Sequence, residues 1–261
     1  MTVMKHELRQ GRLSFLLWTG SIGALLAVCI FLFPDMKGEM EGISEVFASM
    51  GSFTAAFGMD RLNFGTLIGF YAIECGNVLG LGGAFFASLC AVSILGKEEK
   101  DKTAEFLFSH PISRKRVLTE KLIAVLLQIT FLNLVIYLLS VSSMMMIGEE
   151  IPWKEMNLLH GAYYILQLEL AGICFGISAF LRKGNAGAGL GLAAVMYCLN
   201  LISNITESAE FLKYITPFGY CEGADIVSEG CIDLKMAGIG IIFGLIGILA
   251  GYVKYTRKDL Q

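Results

Sequence analysis

One acidic side chain stands by itself in an apolar run of this chain, and its type and position admit two kinds of chemistry. Glu169 falls at the midpoint of residues 158–181. A charge at the centre of a bilayer costs about 2.5 to 3.5 kcal/mol on the mildest insertion scale. Such a carboxyl either contacts a substrate or a proton, or is held protonated or hydrogen-bonded as a structural group. Helical spacing sets Glu169 on one stripe with Ala162, Ile165, Gly172, Gly176 and Ala179. Small residues let helices approach closely, so the carboxyl faces a helix interface or a cavity rather than lipid. The second concentration of ionisable groups is GKEEKDKTAEFLFSHPISRK, residues 96–115, with nine ionisable side chains other than His in twenty positions. Catalysis has no other foothold. The chain contains no G-x-x-x-x-G-K-[ST] phosphate loop, no G-x-S-x-G elbow and no H-E-x-x-H pair. His6, His110 and His160 lie on different segments without spacing suited to a metal. The chain by itself is therefore expected to bind neither ATP nor a metal, and to catalyse nothing.

Composition dictates the elements that must position these residues. Of 261 residues, 55% are hydrophobic and 16% charged, with a mean hydropathy of +0.66, against about 25% charged in an ordinary soluble domain. The apolar residues gather in six blocks near 13–33, 64–95, 117–147, 158–181, 186–205 and 236–255. Each is long enough for a bilayer, which takes about 20 helical residues. This reads as one all-α polytopic membrane domain, 1–261, with six transmembrane helices. The second block spans 32 residues, too long to cross straight, and Glu74, Gly76 and Asn77 mark a break within it. The first block follows Lys5, Arg9 and Arg12 but ends at Phe33-Pro34-Asp35 without a small-x-small cleavage pattern, so it is read as a retained anchor.

Cytoplasmic connections retain positive charge. With the N-terminus inside, the inner segments hold fifteen of the twenty Lys and Arg, and the outer ones hold fourteen of the 23 acidic residues. Both termini are therefore expected in the cytoplasm. The net charge of −3 and the lack of a basic, aromatic-interleaved surface argue against nucleic acid. Cys221 and Cys231 share the last outer connection, where a disulfide is permitted. The glycine stripe Gly240, Gly244, Gly247 and Gly251, and the shorter Gly187 and Gly191, serve either packing within one subunit or a subunit interface.

The charged stretch has an internal order. Lys97 to Lys102 are water-loving, then Ala104, Leu107 and Phe108 fall at i, i+3 and i+4, a short apolar helical face. Pro111 stops that helix and Ser113 caps the next. Arg114, Lys115 and Arg116 sit in a first turn, where the helix dipole disfavours cations. Attraction to an anionic leaflet, about 1 kcal/mol per basic residue, offsets this, so they read as membrane-surface anchors. An exposed apolar face with Phe106 and Phe108 seeks a partner or the lipid surface, and a protein partner is the preferred reading.

Glu99, Thr103, Glu105, Leu107, Pro111, Ile112, Ser113 and Arg114 resemble the cytoplasmic loop between the second and third spans in permease subunits of type-2 ATP-binding-cassette (ABC) exporters. KHELRQGRLSFLLW is similar to that family's interfacial helix, and LKYITPFGYCEGADIV to its segment before the last span. The resemblance implies that the loop carries a coupling helix between helices 2 and 3. Its docking residues would be Glu99, Asp101, Thr103, Glu105, Phe106, Leu107, Phe108 and Pro111. It also implies a re-entrant segment before helix 6, a separate cytoplasmic ABC ATPase subunit carrying ATP and Mg, a second permease subunit, and residence in the cell membrane, the plasma membrane of a bacterium. Many relatives have Gly where Lys102 stands, and an apolar residue or Lys at His110. Two other readings remain: a membrane anchor or assembly factor whose loop recruits a cytoplasmic protein without transport, and an ion-coupled transporter using Glu169. The latter would show more intramembrane charges and an internal repeat.

Overall fold

The computed structural model describes residues 2–100, 102–103, 112–181 and 185–257. The described residues form helices and turns without a strand. A short surface helix α1 (Thr2–Gln10) leads through Gly11 into α2 (Arg12–Ser49), and α3 (Ser52–Ala56) follows. The next span is α4 (Leu67–Cys75), a π-helical segment Gly76–Leu81, and α5 (Gly82–Val92). One turn, α6 (Lys97–Lys100), precedes the loop. Beyond it come α7 (Arg114–Ile147), α8 (Trp153–Phe180) and α9 (Ala186–Ile205). Two 3-10 turns (Glu207–Tyr214 and Gly219–Cys221), the short α10 (Gly223–Glu229) and α11 (Leu234–Arg257) complete the chain. Six of these stretches are long and apolar enough to cross a membrane, one for each block of the sequence.

The differences from the sequence reading have local causes. The helix of the first block runs through Pro34 instead of ending there. Phe33 is fully buried beside Phe70, and Lys37, one turn on, pairs with Glu149 at 2.8 Å. Packing and charge thus hold the helix past the missing N–H. The break at Gly76 and Asn77 is a π segment that keeps the helix continuous, an irregularity that collects at functional sites. Its glycines let Tyr163 lie against the backbone: a methyl group at Gly76 would come within 2.9 Å of the Tyr163 hydroxyl. Ser113 caps α7 as expected, accepting from Arg116 N at 3.3 Å.

α8 is the most enclosed span and packs most extensively against α11. A Cβ on Gly172 would stand 2.6 Å from Gly244 O, and one on Gly176 2.4 Å from Gly247 O. The two small-residue stripes therefore close on each other within one chain, backbone to backbone. Gly187 and Gly191 face no other element within 4 Å. Between α9 and α11 the broken segment folds inward, burying Phe218, Tyr220, Cys221, Ala224 and Ile226. Irregular backbone among spans has to be covered by protein in this way. Cys221 and Cys231 are free thiols, with Cys221 Sγ donating to Ala162 O at 3.3 Å.

Candidate functional site

Both flanks of the charged loop emerge where α1 and the last turn of α11 lie, at the end of the bundle that carries the chain termini. Their footing is an ion cluster built around Lys121. Val117, Lys121, Ala124, Val125 and Gln128 form the buried stripe of α7, so helical period alone carries an ammonium into the core. Lys121 is 0% exposed, and its three N–H groups find three acceptors: Glu7 Oε1 at 2.9 Å, Glu98 Oε1 at 2.6 Å and Ile94 O at 2.5 Å. Glu7, 2% exposed, accepts from Lys97 at 2.8 Å through its other oxygen. Two cations thus meet two anions, offsetting a desolvation cost of several kcal/mol per buried ion. Burial pushes the Glu7 carboxyl up, but the charges of Lys121 and Lys97 and their hydrogen bonds outweigh it and hold the group below its ordinary value.

A second tie lies beside the first. Glu120 Oε2 accepts from the backbone N–H of Val3 and Met4 at 3.0 and 3.2 Å, capping α1 with a carboxylate. Its Oε1 accepts from Arg116 Nε at 3.1 Å. Arg114 reaches across to Thr256 O at 3.5 Å, and Thr119 shares a 2.8 Å bond with the Tyr252 hydroxyl. The surface helix, the start of α7 and the end of α11 are thereby joined at the base of the loop.

Of the proposed docking residues, Glu99 and Thr103 are described, and Asp101, Glu105, Phe106, Leu107, Phe108 and Pro111 lie outside the described residues. Thr103 N donates to Glu98 O at 2.9 Å, closing the turn after α6. Lys102 in that turn adopts φ 55°, a left-handed conformation that favours glycine. Lys97 and Glu98, expected to face water, turn inward instead, because Lys121 lacks partners on its own helix. Among the anchor residues Lys115 is exposed, whereas Arg114 and Arg116 also bond to protein. Among the fifteen inner Lys and Arg, charge alone does not distinguish Lys121. Its place on the stripe of Val117 and Val125 was the available signal.

The intramembrane acid lies elsewhere. Glu169, 4% exposed, accepts from the Tyr220 hydroxyl at 3.0 Å. It fills the space left by Gly240, where a Cβ would fall 2.0 Å from its Oε2. The expected helix interface is thus the one between α8 and α11, and the partner is a hydroxyl from the inward-folded segment.

The family model for ABC-2 family transporter proteins matches residues 1–260. The chain belongs to the ABC-2 family of transporter proteins. No individual curated protein matches it. As an ABC-2 protein it is a multi-pass transmembrane subunit of an ABC transporter.

Proposed function

We propose that this chain forms the translocation pathway of an ATP-driven exporter, and that a separate ATPase subunit drives it through the loop between the second and third spans. The observation that carries the reading is the Lys121 cluster. It clamps the surface helix, the turn before the loop and the start of α7 into one unit, so a displacement of the loop would be delivered to two spans at once. ATP and Mg would bind the partner, and the chain itself would be non-catalytic, working beside a second permease subunit. Family membership supports the transporter over the anchor reading.

Co-purification in mild detergent followed by an ATPase assay tests it. An ATP-hydrolysing partner is expected, and the paired change Phe108→Asp with Glu105→Lys should abolish its association. Burial of one large apolar side chain gives about 1.5 to 3 kcal/mol, so Phe108→Ala alone should weaken docking by one to two factors of about ten. Unchanged association and transport in the paired variant would sink the reading. Orientation has its own readout: Cys231 is an exposed thiol at the end opposite the termini, and an impermeant maleimide should modify it in intact cells.

A further inference from the structure

At the end opposite the termini, the inward-folded segment brings a carboxylate against the polar face of α9. Glu222 Oε2 accepts from Asn200 Nδ2 at 3.2 Å and from Asn204 Nδ2 at 2.8 Å. A carboxylate only accepts, so each amide must turn its N–H toward it, and the two orientations are settled by the bonds. The consequence is that Asn200 Oδ1 and Asn204 Oδ1 are left buried without a partner. Asn200 is 5% exposed and lines a cavity of about 40 Å³ together with Glu222, Asn77, Tyr163 and Tyr197. Tyr197 has spent its proton on Asn77 Oδ1 at 3.0 Å. The cavity therefore offers the acceptor oxygens of Glu222 and Asn200 on one side, facing the Tyr163 hydroxyl and the Asn77 amide on the other.

Its charge is unbalanced. Arg61 is taken up by Asp225, which leaves Glu222 as the negative group. Burial pushes its carboxyl above the ordinary value, further raised by Asp225 and opposed by the bonds from Asn204 and Asn200 and by Arg61. Asn204, the other amide on Glu222, lines a neighbouring open basin of about 520 Å³ with Asp60, Arg61, Glu210 and Lys213.

We propose that this cavity is a binding site for one partly dehydrated monovalent cation of the sodium or potassium class, ligated by Glu222 and the side-chain oxygen of Asn200. A neutral water would leave the carboxylate charge unanswered. A divalent ion is disfavoured because magnesium keeps several waters and calcium takes 6–8 oxygens, several of them charged, whereas the cavity offers a single carboxylate. The ion would tie the inward-folded segment to α9 and to the π segment, independently of any ATPase.

The test is thermal unfolding of the purified full-length chain in sodium, potassium or N-methyl-D-glucamine chloride at equal ionic strength. A saturable rise of the midpoint with sodium or potassium, absent with N-methyl-D-glucamine, is the expected result. Glu222→Gln should weaken the apparent affinity at least about tenfold. Asn200→Asp, which adds a second carboxylate, should tighten it by a similar factor while lowering the midpoint in N-methyl-D-glucamine, and it decides the matter if the Gln variant does not fold. Equal midpoints in all three salts would overturn the proposal, as would a cation effect that neither variant alters.

Discussion

Replacing Lys121 by Met keeps most of the side-chain volume and removes one ammonium. Glu98 Oε1 then loses the cation 2.6 Å away, while Glu7 keeps Lys97 at 2.8 Å. Breaking a buried ion pair by deleting one partner costs about 3 to 5 kcal/mol, and the surviving Lys97 contact places this case near 3. At about 2 to 4 °C per kcal/mol for chains of 150–250 residues, the midpoint should fall by about 6 to 12 °C. Thermal unfolding in detergent of Lys121→Met, Glu7→Gln and the double variant measures it. The two side chains share one hydrogen bond, so the double variant should be more stable than the summed single losses by at least about 1 kcal/mol. A Lys121→Met midpoint within about 1 °C of the native chain, or strict additivity, would refute the account of the cluster.

Acid should act through Glu7. Its carboxyl sits below 4.5 in the folded chain, so its stabilisation is complete above that pH and is lost as pH falls through the folded value. The stability gap between native chain and Glu7→Gln should accordingly shrink below pH 4.5. Tyr220→Phe strips the buried Glu169 of its donor and should cost about 1 to 3 kcal/mol, whereas Glu169→Gln should retain assembly and Glu169→Lys should not. Gly240→Ala should disturb the same pair, because its Cβ would meet Glu169 Oε2 at 2.0 Å. Lys102→Gly removes a left-handed backbone cost and should be neutral or stabilising by up to about 1 kcal/mol, while Lys102→Val should destabilise; denaturant titration separates them.

Hydropathy alone determined the number and order of the spans, since each apolar block must satisfy its backbone within itself and only a helix does so. Residue type and helical spacing located the Ser113 cap, the break near Gly76 and the stripe carrying Glu169, because all three follow from local geometry along one helix. Lys121 and Glu7 are separated by 113 intervening positions, and neither residue signals the other. Which acid answers a buried ammonium depends on how α1 lies across α7. Likewise, Asn200 and Asn204 look like ordinary polar breaks in a span until the segment before the last helix folds inward and sets Glu222 against them. Tertiary structure alone decided these pairings, because a buried charge or amide is satisfied by whichever partner the packing of distant segments brings within about 3 Å.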